Sequence, residues 1–189
     1  MTPESDQPTG EHLAWSQWWA SPWSYAHDDW RGDEYPAMDT LYRSGWLAPH
    51  NLLGVAACLP PMPNLTVLRL ALATKEQLGL ALILIHNTFH PQAASTLSES
   101  HHLWCLRLSK TLPPAMLASD TDPLQLLHSW VDAATWQRLR LRFPRERVRE
   151  VESKGSIPSV NSQLNTLWQA VVWRITTMAN DNVPPDSSG

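Results

Sequence analysis

Proline sets the length of every element this chain can form. It removes a backbone N–H, clashes with the preceding helical turn and biases its own predecessor away from the helix. Sixteen prolines in 189 residues therefore cut the chain into short pieces. Pro22 and Pro36 divide an aromatic N-terminal stretch, and "PPMP" (Pro60–Pro63) stops whatever precedes it. Pro91 closes a long apolar run, and Pro144 interrupts an arginine-rich one. Only seven glycines and few β-branched runs accompany them, and Leu, Ala and Trp dominate. That composition favours helices broken by prolines over sheets. The expected fold class is all-α: a single irregular multi-helix domain with a Pro-broken aromatic N-terminal segment.

Local signals place the pieces. Asn51 reads as the N-cap of a short helix to Leu59, and Asn64 as the cap of another over Leu65–Ala73. Thr74-Lys-Glu-Gln77 is a capping-box pattern that opens a helix to about Phe89. Its core, "LGLALILI" (Leu78–Ile85), is apolar all round and is expected to be the most buried helix. Asp122-Pro123-Leu124-Gln125 puts Asp at the N-cap and Pro at the first helical position, predicting a helix to about Arg142, with Pro144 kinking or restarting it. In the last expected helix, Ser162–Met178, Leu164, Leu167, Trp168, Val171, Ile175 and Met178 form one apolar stripe.

A chain of 189 residues with 43% hydrophobic content can bury one real core without disulfide staples. Residues 11–179 are expected to form that domain, between disordered ends at 1–10 and 180–189. Cys58 and Cys105 lack any close spacing, which excludes a zinc ribbon or a disulfide framework and fits a reducing compartment. The first residues lack the basic and apolar regions of a signal peptide, and Leu78–Ile85 falls far short of the roughly 20 residues of a membrane span. A soluble, cytoplasmic protein without direct membrane insertion is expected. Its net charge of −4 is uneven: residues 1–39 hold eight acids against Arg31 alone, whereas 136–154 hold seven bases against three acids. An acidic front and a basic rear can attract one another or recruit separate partners.

The candidate chemistry is thin. His86 and His90 have i, i+4 spacing, but Asn87 stands where a zincin places its Glu, and two ligands from one helix are a weak metal signal. Tyr25 and His27 could share acid–base work, yet no glycine-rich phosphate loop, nucleophile elbow or paired-carboxylate signature accompanies them. No enzymatic activity, metal or cofactor is expected. Arg138, Arg142, Arg145 and Arg149, at steps of four, three and four, would form one basic stripe if the helix ran through Pro144. That stripe supports an alternative reading as a helical nucleic-acid-binding or regulatory protein. The acidic balance, with a sequence pI near 6.0, and i, i+4 partners such as Glu146 for Arg142 and Lys154 for Glu150 argue against it.

Eleven tryptophans exceed what a domain of this size usually buries, and Trp with Arg is the composition of binding hot spots. Trp15, Trp18 and Trp19 in particular lie in a hydrophilic, Pro-flanked setting that fits a surface role. An interaction protein is the class that remains. Its expected partner-binding residues are Trp19, Trp23, Tyr25, His27, Asp28, Asp29 and Trp30 at the front, and Arg138, Arg142, Arg145 and Arg149 at the rear.

The segment "PWSYAH", Pro22 to His27, sits near the N-terminus ahead of a helical, Leu-rich body. In its Pro22, Ser24, Tyr25 and His27 it resembles the entry segment of the accessory sorting-platform proteins of type III secretion systems, the YscK/OrgA/MxiK-like family. The high Trp content and the "RLRLRFPRERVRE" block have no counterpart in that pattern. The resemblance implies a non-catalytic, mostly helical cytoplasmic adaptor. Such an adaptor links the cytoplasmic domain of the inner-membrane ring protein to the pod protein, on a platform that also holds the ATPase and its stator. Pro22, Tyr25 and His27 would then form the fold or the interface.

Overall fold

The computed structural model describes residues 7–32, 40, 44, 53–91, 97–112, 121–157 and 161–177. Among them the helices are α1 (Gln7–Ala20), α2 (Leu65–Leu72), α3 (Lys75–Phe89), α4 (Glu99–Ser109), α5 (Pro123–Trp130), α6 (Ala133–Leu139), α7 (Arg145–Lys154) and α8 (Asn161–Thr177). Three 3-10 turns join them, at Pro22–Tyr25, Asp28–Trp30 and Arg140–Arg142, and no described residue is in a strand. The fold is all-α. The chain divides into two compact units, finer than the single domain expected from its length: Met1–Leu72 with Val131–Lys154, and Ala73–Trp130 with Gly155–Gly189. No described helix is long and apolar enough to cross a membrane.

The second unit is organised around α3. Thr74 Oγ1 accepts from the Gln77 N–H at 3.2 Å while the Gln77 side chain accepts from the Thr74 N–H at 2.8 Å, so the expected capping box starts the helix. The helix ends two residues short of Pro91. α4, α5 and α8 all pack on it. Leu78, Ala81, Leu82, Leu84 and Ile85 are buried, but Ile83 is 41% exposed and Gly79 is open as well. The run is therefore not buried all round, because its neighbours leave one line of the helix uncovered. α8 buries Leu164, Leu167, Trp168, Val171 and Ile175 as the periodicity requires, together with Val172. Met178 lies outside the described residues. Full burial of each such side chain contributes about 1.5–3 kcal/mol.

One expected helix is two. The Asp122 carboxylate caps α5, accepting from the Leu124 N–H at 2.7 Å, but α5 stops at Trp130 instead of running to Arg142. Asp132 then caps a fresh helix: Oδ1 accepts from the Ala134 and Thr135 N–H groups, each at 3.0 Å, and Oδ2 from the Thr135 hydroxyl at 2.6 Å. A restart at such a residue leaves few orphan donors, so the break costs little. Burial works against the Asp132 charge, yet these hydrogen bonds outweigh it and hold the carboxyl below the usual Asp range. Because the folded-state value is depressed, this stabilisation is present above the unfolded-state value of about 3.9 and is lost as pH falls through the folded one. Asp132→Ala should cost about 1 kcal/mol at neutral pH. The gap to wild type in urea melts should narrow as pH falls below about 4; a constant gap would remove the carboxylate from the account.

In the first unit, α1 begins at Gln7, inside the stretch expected to be disordered. Pro8 falls in its first turn, where a missing N–H removes no helical bond. Trp15, Trp18 and Trp19, at i, i+3 and i+4, line one face and are 2%, 0% and 3% exposed. They are core residues and not the surface aromatics that their hydrophilic neighbours suggested. Their rings lie 5.3–6.0 Å apart. Asn64 caps α2, its Oδ1 accepting from Thr66 and Val67. After Pro144, α7 buries Val148 and Val151.

The helix expected over Asn51–Leu59 does not form across the residues described. Gly54 has φ +63, and residues 55–61 run as an irregular strap. Its backbone groups are bonded by side chains from elsewhere in the unit. Gln137 Oε1 accepts from the Ala56 N–H (2.9 Å), and Arg138 donates to the Ala56 carbonyl (2.9 Å). The indoles of Trp19 and Trp15 donate to the Cys58 and Pro61 carbonyls, each at 3.0 Å. Arg140 donates to the Leu53 carbonyl, and its Nη2 lies 2.7 Å from where a Cβ on Gly54 would sit. Glycine is required there twice, by the left-handed backbone and by that close approach. A helix would have turned these carbonyls inward on itself, so the donors of distant side chains decide the strap.

Candidate protein-docking surface

Pro22 takes the first position of its 3-10 turn, where a fixed φ and a missing N–H suit helix initiation. The turn ends at Ala26, whose N–H donates to the Trp23 carbonyl at 3.1 Å. His27 starts the next turn: its Nδ1 accepts from the Asp29 N–H at 3.3 Å and lies 3.4 Å from the Asp29 carboxylate. The His27 N–H donates to the Leu141 carbonyl at 2.7 Å, anchoring the segment to the Arg140–Arg142 turn. Two guanidinium groups fix the backbone further, Arg31 donating to the Ser24 carbonyl at 3.0 Å and Arg142 to that of Tyr25. Trp23, Ala26, Val55 and Leu141 form the small core beneath, with Trp30 and Leu53 packed against it.

This anchoring sorts the expected site residues. Trp23 is 8% exposed and belongs to the core; Trp19 is deeper still. Neither can meet a partner from inside. Tyr25, 38% exposed, projects from the ledge beside the exposed Asp28 and Asp29, while His27 is half-buried and holds the turn. Trp30 is also half-buried. Its indole N–H donates to the Phe143 carbonyl at 2.8 Å, and Arg140 and Arg145 lie over its ring at 5.6 and 5.4 Å. Asp33, Glu34 and Asp39 of the acidic front lie outside the described residues.

The arginine stripe is not one stripe. The backbone leaves the α-helix at Arg140 and restarts at Arg145, so the four arginines lose a common face. Arg138 is 3% exposed, its guanidinium 3.9 Å from the Trp19 ring and bonded to the carbonyls of Trp19, Ala134 and Ala56. It is an internal clamp. Arg142 is half-buried; burial and then the neighbouring Arg31 charge push it below the ordinary arginine value, against an opposing effect of Tyr25. Arg145 and Arg149 are exposed. Lys154 pairs with Glu150 at 3.2 Å, as expected on α7.

Arg140, Gln137 and Glu152 went unsingled in the sequence, although they build the support. Glu152 accepts from both Arg140 (2.7 Å) and the Trp136 indole (2.9 Å). Only the alternation of Arg and Leu at 138–142 hints at them, since residues two apart near a helix end diverge and can reach different segments. The site thus offers an anchored turn with one phenol and two carboxylates outside. Among the described residues, no group of three or more His, Cys, Asp and Glu side chains could hold a metal. No protein-family model, curated protein or solved structure matches this chain.

Proposed function

We propose that this chain is a non-catalytic adaptor of a type III secretion sorting platform. In this reading it works at the cytoplasmic face of the inner membrane, joining the cytoplasmic domain of the ring protein to the pod protein. The observation that carries the reading is the state of the Pro22–His27 segment that resembles that family. Its backbone is held by Leu141, Arg142 and Arg31, yet Tyr25, Asp28 and Asp29 remain outside. A preformed ledge loses little conformational freedom on binding, which favours docking by an exposed aromatic. Exposed carboxylates around it steer a basic partner surface and are screened by salt. The nucleic-acid reading loses support, because Arg138 and Arg142 spend donors on this chain's own carbonyls. The exposed Arg145 and Arg149 remain available to a second, acidic partner.

The test is retention of the two purified partners by the full chain. Tyr25→Ala, and separately Asp28→Lys with Asp29→Lys, should each weaken ring-protein binding at least tenfold while leaving pod binding intact. Arg149→Glu should do the reverse. If the wild-type chain retains neither partner, the adaptor reading fails. If it retains both and the ledge variants bind normally, the ledge is only part of the fold.

A further inference from the structure

His86 and His90 stand on successive turns at the C-terminal end of α3, on the line of that helix its neighbours leave uncovered. His86 is exposed and His90 half-exposed. The His90 N–H still donates to the His86 carbonyl at 2.9 Å, although His90 itself has left the helical conformation (φ −124, ψ 62). The rings come together with centroids 4.7 Å apart and planes at 49°. Among the described residues neither imidazole has a hydrogen-bond partner, and a neutral imidazole offers one ring nitrogen as a lone-pair donor to a metal.

We propose that His86 and His90 form a two-imidazole chelate for a first-row divalent ion of the nickel, copper and zinc class. The separation supports it. A metal about 2.0–2.1 Å from a ring nitrogen lies roughly 3.2 Å from the ring centroid. With one nitrogen of each ring turned to a common ion, centroids 4.7 Å apart subtend about 95° at it, close to the angle between neighbouring ligands in a tetragonal site. Neutral imidazole suits nickel, copper and zinc, whereas magnesium and calcium prefer oxygen, so the donor set selects the class. The zincin comparison fails here because Asn87 replaces the catalytic Glu, but chelation needs only the two imidazoles. With no third protein ligand among the described residues, water completes the coordination and the ion stays exchangeable. The chelate bridges i and i+4 across the end of α3, so the ion binds the folded chain better than the unfolded one and stabilises it by mass action.

Equilibrium dialysis of the full chain against Ni²⁺ tests the proposal; nickel spares the exposed Cys58 thiol the oxidation that copper would cause. One ion per chain should be retained at micromolar nickel. His86→Gln and His90→Gln should each weaken retention at least tenfold, and His102→Gln should leave it unchanged. A second measurement needs no variant: nickel should slow carbethoxylation of His86 and His90, but not of the exposed His12. The proposal is overturned if the wild-type chain retains no nickel or if either variant loses less than tenfold. Uniform protection of every histidine, or protection of none, overturns it as well.

Discussion

Arg138→Leu should lower the stability of the first unit by about 3–5 kcal/mol, enough to lower its melting transition by about 12 °C or more. Arg138 donates to three carbonyls from three parts of the unit: Trp19 in α1, Ala134 in its own helix and Ala56 in the strap. A leucine fills part of the volume and removes the donor from the Trp19 and Ala56 carbonyls, while the Ala134 carbonyl keeps the helical N–H of residue 138. Each unsatisfied buried acceptor costs about 1–3 kcal/mol, less whatever water can recover. Burial pushes the guanidinium below its ordinary value, opposed by Cys58 and Asp132, and the group remains a cation at neutral pH. Lysine should not rescue it. A point charge cannot reach three carbonyls and also stack on Trp19. Arg149→Leu, on an exposed face, should stay within about 0.5 kcal/mol of wild type in the same urea melts. A drop of under 1 kcal/mol for Arg138→Leu would mean that water replaces the clamp.

Trp168→Ala should cost the second unit about 3–5 kcal/mol, whereas Trp168→Phe should cost less than about 1.5 kcal/mol. Trp168 is fully buried in α8 and stacks on Trp130 at 5.9 Å with planes 17° apart. Removing it opens a cavity that rigid helices cannot close. Its indole N–H, however, is buried without a hydrogen-bond partner among the described residues. Phenylalanine keeps most of the ring and deletes that unsatisfied donor, so the lost volume and the relieved desolvation oppose each other. Calorimetry on both variants separates the two effects. Equal losses for Ala and Phe would show that the N–H is hydrated in solution.

Where the deciding interaction is local, the chain announces it. The Thr74–Gln77 box, the caps at Asn64 and Asp122 and the α8 stripe are set by groups within one or two turns of each other. Asp132 was equally local, with a cap and a hydroxyl three residues on, but a continuous apolar pattern from Leu124 to Leu139 concealed it. The strap was not legible. "NLLGVAACL" has helical composition, and the donors that keep residues 55–61 out of a helix lie 39 to 82 positions away in the chain.

The candidate site divides along the same line. Tyr25 and His27 could be picked out as a motif, but only the Leu141 carbonyl and the Arg142 guanidinium decide that Tyr25 faces solvent while His27 braces the turn. Nothing local distinguishes Arg138 from Arg149 or Trp19 from Trp30, because a side chain's burial depends on which remote segment covers it. By itself, then, the sequence determined the helical class and the helix starts at Asn64, Thr74 and Asp122, since caps and periodicity act over about four residues. Tertiary structure alone decided which arginines clamp, which tryptophans are core and where the strap runs. Those outcomes rest on hydrogen bonds and packing between parts of the chain that share no local pattern.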